Sequence, residues 1–245
     1  MSDFATVFAS LRDVNGWMTP DQAQRLWTRS SALPAGSTIV EIGSFQGRST
    51  CVLASAATEG VDVVAIDPHG GNDRGPQEIS GFVDEAESDH QIFLANLERL
   101  GVRDRVRHLR KFSDDALGDV PGDVDLLYVD GAHRYEPASQ DIRDWGAKVR
   151  SGGHLLVHDS FSSIGVTMAL VAITFWSPEW IYEGRSQSMA QYRKGPTTYG
   201  QRLRSFASQV LALPYFALNL LYKALLSARL GSVARLLGSS GEWPY

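Results

Sequence analysis

The sequence contains a single cysteine, Cys51, among its 245 residues. One cysteine cannot form an internal disulfide or a zinc site built from several thiolates. Cys51 falls in a predicted core helix, where we expect it to be a small buried hydrophobic side chain. A disulfide framework and a thiolate zinc centre are therefore excluded.

Long apolar runs are also missing. No stretch of residues 197–238 reaches the roughly twenty uninterrupted apolar residues that a membrane-spanning helix needs. Met1–Val7 shows no basic region followed by an apolar run, which is the pattern of a secretory signal. We therefore expect a cytoplasmic protein whose only membrane contact would be peripheral, through this C-terminal tail.

Basic charge is scarce outside the tail. The net charge is −5, yet residues 196–245 hold five basic side chains and one acidic one, so the rest of the chain is strongly acidic. Binding to a phosphate backbone needs a concentrated basic face. Nucleic acid is therefore not expected as a partner.

Short apolar, β-branched runs alternate with longer helical patterns, which predicts an α/β fold with helices on both faces of a parallel sheet. Two further runs, separated by a short polar turn, predict an antiparallel hairpin at the sheet edge. The expected fold is a doubly wound, Rossmann-like sheet of seven strands: Thr38–Ile42, Asp62–Ile66, Arg105–Arg110, Val124–Val129, Gly153–Val157, Trp180–Arg185 and Met189–Arg193.

Helical patterns fill the gaps between these strands. The chain is predicted to divide into an N-terminal helical segment (1–34), a central domain (35–195) and a C-terminal helical tail (196–245) broken at Pro214. Residues 70–87 are rich in glycine and acid, and we expect a long loop over the site. The predicted central helices begin near Gly47 and span about Asp89–Leu100, Pro137–Val149 and Ile164–Trp176.

A glycine-containing turn follows the first strand, in the sequence VEIGSFQGRS at residues 40–49. Gly43 and Gly47 allow a sharp turn and close approach of a ligand. The next helix begins there, so its free amide groups could bind a carboxylate or phosphate. A tight connection without a ligand explains this turn equally well. Asp67, at the end of the second strand, favours the ligand site, because a carboxylate there can accept hydrogen bonds from ribose hydroxyls.

The spacing E-x-G-x-x-x-G resembles that of class I S-adenosylmethionine-dependent methyltransferases. The resemblance implies that Glu41, Gly43 and Ser44 line the methionine end of the cofactor and that Asp67 holds the ribose. It places the adenine near the segment after the third strand, with Ser113 and Asp114 as candidates. Further candidates for cofactor contact are Ser49, His69 and Asp130.

Two acids follow neighbouring strands of the predicted sheet. Asp130 ends the strand DLLYV, and Asp159 follows GGHLLV together with His158. Adjacent strands lie about 4.8 Å apart, so the two carboxylates repel unless a cation lies between them or one is protonated. Mg²⁺ or another divalent cation with oxygen ligands would resolve this, with His158 as a weaker third ligand. Both acids could instead cap the helices that follow.

His133 lies three residues after Asp130, on the loop above this site. An imidazole titrates near neutrality and can accept a proton from a hydroxyl group, so His133 is the predicted catalytic base. A surface histidine is the alternative. We expect His154 to be structural, whereas His90 and His108 belong to no recognisable constellation.

The motifs VEIGSFQGRST, YVDGAHRYE and GGHLLVHDS, within residues 35–195, together resemble the macrocin O-methyltransferase group. These are metal-dependent sugar O-methyltransferases. The resemblance implies that Asp130 and the His158–Asp159 pair bind magnesium and that His133 is the base. Position 158 departs from the family, which often has a second acid there. Aromatic side chains available to stack on a sugar are Tyr135, Trp145, Phe161 and Trp180.

The predicted function is S-adenosylmethionine- and Mg²⁺-dependent O-methylation of a sugar or glycan, such as a mannose or rhamnose precursor of a polysaccharide or glycolipid. The alternative is a metal-dependent methyltransferase of small catechols, which would use the same kind of metal site. A nicotinamide-dependent oxidoreductase would share the first strands and Asp67 but would not need paired acids. A cofactor-binding module without catalysis is the last alternative. The tail could cover the core, form a homodimer interface or lie on a membrane.

Overall fold

The computed structural model describes residues 3–70 and 83–239. Its sheet has seven strands in the order β3-β2-β1-β4-β5-β7-β6. Strands β1 to β5 are parallel, and β7 runs antiparallel to both β5 and β6. The predicted doubly wound sheet with an antiparallel edge is therefore confirmed. The strands are β1 (Thr38–Ile42), β2 (Asp62–Ile66), β3 (Val106–Leu109), β4 (Val124–Val129), β5 (Val149–Val157), β6 (Trp180–Ser186) and β7 (Met189–Lys194).

Helices connect the strands and flank the sheet at both ends of the chain. They are α1 (Phe4–Ser10), α2 (Pro20–Ser31), α3 (Arg48–Ala56), α4 (Val83–Arg99), α5 (Ser113–Ala116), α6 (Tyr135–Lys148), α7 (Ile164–Ile173), α8 (Tyr199–Val210), α9 (Leu213–Ser227) and α10 (Gly231–Leu236). The loop predicted at residues 70–87 is wrong at its end, because α4 already begins at Val83. Residues 71–82 of that loop lie outside the described residues.

Both faces of the sheet are buried, and β1 shows this directly. Ile39 belongs to the apolar core on one face, with Leu26, Leu53 and Phe93. Val40 belongs to the core on the other face, which includes Trp145, Leu155 and Tyr192. Successive side chains of a strand point to opposite faces, so an apolar run of this kind requires helices on both sides.

Helix α2 ties the N-terminal segment to the sheet. Thr19 caps it, with its hydroxyl accepting from the Gln22 amide while Gln22 Oε1 accepts from the Thr19 amide. Arg25 then donates to Ser186 Oγ over 2.9 Å, and Arg29 pairs with Glu183 at 3.0 Å. The segment 1–34 thus contacts the β6–β7 hairpin at the opposite end of the chain.

The C-terminal tail packs on the same hairpin and on α7. Gln209 of α8 is buried and accepts hydrogen bonds from Thr174 and Tyr192, each at 3.0 Å. Residues 211 and 212 separate α8 from α9, and Pro214 lies in the first turn of α9. Within Tyr199–Ser227, which comprises α8 and α9, an 18-residue window has a mean hydropathy of 1.5 and so meets the length and composition of a membrane-crossing helix.

Candidate active site

The carboxyl ends of β1, β2 and β4 open onto a cavity of about 280 Å³. Seven of the predicted site residues line it: Gly43, Ser44, Ser49, Asp67, His69, Ser113 and Asp130. The wall also contains residues that the sequence did not single out, among them Asn15, Gly16, Trp17, Met18, Phe45, Arg48, Phe112, Arg134 and Asp141. Ligands of open α/β sheets bind at this edge, so the cavity has the position of a cofactor site.

Gly43 allows the first strand's loop to touch the loop after β4. Its φ is +86°, and a Cβ there would lie 2.3 Å from the carbonyl oxygen of Asp130. No other residue type fits so close an approach. The predicted need for glycine at this position thus has a cause that the sequence could not reveal, namely contact with a second loop.

Asp67 connects the cavity to the glycine-containing turn. One carboxylate oxygen accepts from the Phe45 amide at 2.8 Å, and the other accepts from the His69 amide at 2.7 Å. Phe45 and His69 both have left-handed backbone conformations, with φ of 45° and 44°. Such conformations persist only where surrounding contacts hold them, so Asp67 shapes two walls of the cavity.

Glu41 lies behind the cavity wall and is fully buried. It accepts a hydrogen bond from the Thr50 hydroxyl. Burial raises the pKa of Glu41 to about 8 and outweighs its hydrogen bonds to Ser49 and Thr50. The contact predicted for it with the methionine end of a cofactor stays a prediction, because its side chain does not line the cavity.

The two adenine candidates occupy different positions. Ser113 lines the cavity, and its hydroxyl donates to Asp141, whose pKa burial raises to about 6. Trp145 Nε1 donates to the Ser113 carbonyl at 3.1 Å. Asp114 instead lies outside the lining and accepts from the amide of the next residue. Phe112, 63% exposed at the cavity edge, is a third candidate.

The segment between α1 and α2 closes one side of the cavity. Arg48, in the first turn of α3, donates to the carbonyls of Val14 and Gly16, each at 3.1 Å. The Trp17 ring lies 5.7 Å from that of Phe45. Sequence reasoning missed this wall because no charged or glycine-rich motif marks it. Only an isolated Gly16-Trp17 pair in a short linker could have drawn attention to it.

His133, Asp159 and His158 surround a small second cavity that shares Asp130, Gly131 and Ala132 with the first. Nε2 of His133 lies 2.6 Å from Oδ2 of the buried Asp159. A carboxylate can only accept, so this contact keeps the proton of a neutral imidazole on Nε2 and leaves Nδ1 able to accept another. His133 thus has a partner that orients its ring, as the predicted role of a base would require.

Asp130 is oriented by its own strand. Tyr128, two residues earlier and fully buried, donates its hydroxyl to Oδ2 of Asp130 at 3.0 Å. Burial raises the pKa of Tyr128 well above its usual range, so the phenol stays a donor. The sequence offers a signal for this contact, since a polar hydroxyl in an otherwise apolar buried strand needs a partner.

His158 lies between the two acids. Its Nδ1 is 3.2 Å from Oδ1 of Asp130 and 3.3 Å from Oδ2 of Asp159. Burial disfavours the charged imidazole, but the two carboxylates together outweigh burial and raise the pKa of His158 well above its usual range. Burial would also raise the pKa of Asp159, yet His158 and His133 hold it well below the usual range. The imidazole of His158 is therefore placed to interact electrostatically with both acids.

The group of residues that could hold a metal ion differs from the predicted one. Among the described residues, Asp130, His133 and Asp159 have ligand atoms within 4.8 Å of one another, and His158 is not part of that group. Two carboxylates and an imidazole suit a divalent cation. His133 would then serve as a ligand through the nitrogen that otherwise faces Asp159. The roles of His158 as ligand and His133 as base stay predictions.

Two histidines without a predicted role, His90 and His108, come together beside the first cavity with His69, a predicted cofactor contact. The rings of His69, His90 and His108 lie 5.0 to 5.2 Å apart, with Phe93 against them. Burial lowers the pKa of His69, and lowers that of His108 to about 4. The three rings and Phe93 thus form a packed aromatic cluster. His154 lies elsewhere, 3.5 Å from Glu183 on the hairpin, consistent with a structural role.

Residues 40–160 match a family model described as "Methyltransferase domain". The chain contains a methyltransferase domain. The match begins within β1, ends just after Asp159 and so includes both cavities apart from the N-terminal wall and α7. The match supports the prediction of a methyltransferase, whereas membership of the macrocin group stays a prediction.

Two curated relatives match half of this chain. One is the uncharacterized protein y4gI of Sinorhizobium fredii, 32% identical over 126 residues, which amount to 50% of this chain and 13% of that protein. The other is the uncharacterized protein R132 of Acanthamoeba polyphaga mimivirus, 26% identical over 128 residues, or 50% and 51% of the two chains. The matched part therefore spans about half or less of these relatives.

Solved structures share the fold of the methyltransferase domain. The O-methyltransferase TomG from Streptomyces achromogenes, in complex with S-adenosylmethionine, has a TM-score of 0.53 and 17% identity over 80% of this chain and 92% of its own. The O-methyltransferase from Bacillus cereus in complex with S-adenosylhomocysteine has a TM-score of 0.51 and 18% identity over 78% and 89%. At this identity the likeness concerns the fold.

Proposed function

We propose that this methyltransferase domain transfers a methyl group from S-adenosylmethionine to a hydroxyl oxygen of its acceptor, with His133 as the base. The observation that carries the proposal is the 2.6 Å contact between His133 Nε2 and Asp159, which both line the second cavity, next to the residues that it shares with the first. A base is needed next to the acceptor and within reach of the methyl group. TomG and the Bacillus cereus enzyme, which share this fold, bind the cofactor and its product.

The larger cavity is the proposed cofactor site. Asp67 at its wall can accept hydrogen bonds from ribose hydroxyls in addition to those from the two loop amides. Ser44 is 2% exposed, and its hydroxyl is buried without a partner among the described residues, so it can bind a polar group of the cofactor. Phe112 and Ser113 lie where the segment after β3 would meet the adenine.

The reaction is a direct displacement at the sulfonium methyl group. The acceptor oxygen forms a bond to the methyl carbon as the carbon–sulfur bond breaks, and S-adenosylhomocysteine leaves. The acceptor proton passes to Nδ1 of His133, while Asp159 holds the resulting imidazolium through Nε2. The domain mainly aligns oxygen, carbon and sulfur, which can supply roughly 7–11 kcal/mol of barrier reduction.

Magnesium dependence is a further part of the proposal. Asp130 and Asp159 would hold the ion, together with His133 or the acceptor oxygen. When bound, a divalent cation lowers the pKa of a coordinated hydroxyl. The charge of His158 competes with that role, since it already lies within 3.3 Å of both acids. If the positive charge comes from magnesium, activity should be lost in excess EDTA and return when magnesium is restored. If a charged His158 supplies it, activity should persist in EDTA.

We propose a sugar or glycan as the acceptor, with a small catechol as the rival. Of the four aromatic candidates for stacking, Trp145, Phe161 and Trp180 are buried in the core and cannot meet a sugar. Tyr135 is 38% exposed at the start of α6, two residues after His133, and is the remaining candidate. Trp17, 41% exposed at the cavity wall, joins it.

The decisive experiment combines calorimetry with an acceptor screen. S-adenosylhomocysteine should bind in the micromolar range and NAD should not, and radiolabelled methyl groups should appear on a glycan from an acceptor panel that includes catechols. His133→Ala should abolish transfer yet leave S-adenosylhomocysteine affinity unchanged. Binding of NAD alone, or full transfer by His133→Ala, would contradict the proposal.

The tail could also contact a membrane or a second copy of the chain. Helices α8 and α9 expose apolar side chains that include Leu203, Phe206, Leu218 and Leu221. Sedimentation with liposomes, with and without anionic lipid, tests the first role. Analytical ultracentrifugation tests the second, and a monomer that stays in the supernatant contradicts both.

A further inference from the structure

Helix α9 is built with its polar side inward. It has one amide and one charged side chain, Asn219 and Lys223, four residues apart and therefore on one face. Asn219 is 4% exposed and is the single buried residue of α9, whereas Leu218 and Leu221 are 40% and 45% exposed. The polar face thus meets the protein. An amphipathic helix of a globular protein normally has the opposite orientation.

The polar face of α9 binds the loop that follows Asp159. Nδ2 of Asn219 donates to the Phe161 carbonyl at 2.9 Å, and Nζ of Lys223 donates to the Ser162 carbonyl at 2.8 Å. Burial lowers the pKa of Lys223, while the charge of Asp159 acts in the opposite direction, so the ammonium group interacts electrostatically with that carboxylate. Two successive carbonyls of this loop therefore have donors on one helix.

This loop needs such contacts because its backbone is strained. Asp159 and Phe161 have φ of 55° and 58°, in the left-handed region that non-glycine residues rarely adopt. Each such residue costs on the order of 1–3 kcal/mol and persists only where the surroundings hold it. Among the described residues, α9 supplies a donor for the carbonyl of Phe161 itself.

The loop in turn orients the candidate base. The Ser162 hydroxyl donates to Oδ1 of Asp159 at 3.2 Å, and Oδ2 of the same carboxylate lies 2.6 Å from Nε2 of His133. Lys223 is thus linked to His133 through Ser162 and Asp159. Each carboxylate oxygen of Asp159 thus has a partner, Oδ1 within the loop that α9 contacts and Oδ2 at the candidate base.

We infer that Asn219 and Lys223 are positioning residues that hold the Asp159 loop so that its carboxylate orients His133. The inference deepens the proposed function and rests on it, since it assigns a role in the same site. It makes the C-terminal tail a part of that site. The exposure of Leu218 and Leu221 is then a consequence of where the polar residues of α9 are needed.

The test uses the full chain with Asn219→Leu and Lys223→Met combined, two changes of similar volume that remove both donors. Tyr222→Phe is the matched control, because it removes one α9 hydrogen bond, from Tyr222 to the Leu237 carbonyl at 2.7 Å, away from the loop. Lys223→Arg restores a charged donor. The measurements are histidine nitrogen–proton NMR spectra, assigned with His133→Ala, and the affinity for S-adenosylhomocysteine.

We expect the wild type to show a downfield Nε2–H signal from His133, bonded to Asp159. The double variant should lose it, and Tyr222→Phe and Lys223→Arg should keep it, with S-adenosylhomocysteine affinity within about two-fold in all four proteins. An unchanged His133 signal in a folded double variant would overturn the inference. If the double variant does not fold, Lys223→Met alone must weaken the signal. Absence of S-adenosylhomocysteine binding by the wild type would contradict the proposed function instead.

Discussion

Substitution of Gly165 by alanine should damage the candidate site from outside it. Gly165 is the second residue of α7, and its φ is not positive. Its backbone conformation alone therefore does not require glycine at this position. A Cβ at this position would lie 2.2 Å from the His133 carbonyl oxygen and 2.6 Å from the Tyr135 nitrogen. Both atoms belong to the backbone that carries the candidate base. The first turn of α7 therefore lies in direct contact with the loop after β4.

The size of the effect follows from this overlap. Ordinary contact begins at 3.4 Å, so α7 and the His133 loop must separate by about 1 Å. Overpacking of this kind costs about 1–3 kcal/mol. For a chain of this size, that corresponds to a fall in Tm of about 2–12 °C. A displacement of about 1 Å also costs roughly 100-fold in turnover when it affects catalytic groups.

Gly200→Ala is the matched control. Gly200 is likewise the second residue of its helix, α8, and a Cβ there meets nothing within 4 Å. Alanine favours a helix over glycine by up to about 1 kcal/mol, so the Tm of this variant should stay the same or rise. Thermal unfolding of the two variants beside the wild type gives the comparison. A Gly165→Ala protein as stable as Gly200→Ala would refute the reasoning, because the overlap would then have been absorbed without cost.

Three other predictions concern the cavity wall and pH. Asp67→Asn should weaken S-adenosylhomocysteine binding at least ten-fold by calorimetry, because an amide nitrogen cannot accept from the Phe45 or His69 amides. Burial raises the pKa of Glu41 to about 8, so the unfolded chain ionises first and wild-type stability falls as pH rises from about 4.5 to 8. Glu41→Gln has no such ionisation, so in urea unfolding its stability relative to wild type should increase between pH 5 and pH 9. Burial lowers the pKa of His108 to about 4, so wild-type stability falls as pH drops from about 6.5 towards 4, and His108→Phe should lose less between pH 7 and pH 5 in the same assay.

The fold could be predicted closely where strands are buried on both faces. The bounds of β1, β2 and β4 agree with the predicted strands, since each is a short apolar run between polar turns. Strand β5 begins at Val149, four residues earlier than predicted. Ser151-Gly152-Gly153 had indicated a helix end and a turn, but these residues belong to β5, with Gly152 at a φ of +85° and a register shift against β4. Local turn signals were overridden by pairing with a neighbouring strand.

The candidate site was predictable where strand order alone decides proximity. Asp130 and Asp159 follow β4 and β5, which are paired, so their nearness follows from the topology. The position of His158 between them does not follow, because successive residues of an extended chain point in opposite directions. The left-handed conformation of Asp159 turns both side chains to one side. Backbone strain of this kind leaves no pattern in the sequence.

The orientation of α9 could not be predicted from its periodicity. The apolar residues Leu218, Leu221 and Leu225 repeat at helical spacing, which separates two faces but does not say which one is buried. Burial of an apolar face is the usual outcome. Here Asn219 and Lys223 donate to backbone carbonyls of the Asp159 loop, and Leu218 and Leu221 are left exposed.

The contacts of α2 with the β6–β7 hairpin bear on how the chain reaches its native state. The amide group of Gln22 donates to the Ser188 hydroxyl, which is 166 residues further along the chain, and Arg25 reaches Gln191 over the same separation. Contacts between such distant residues close a very long loop and form late in folding. On a ribosome, α2 would have to wait until the hairpin has emerged before it could make these hydrogen bonds. Variants that weaken them should therefore accelerate unfolding more than they slow refolding.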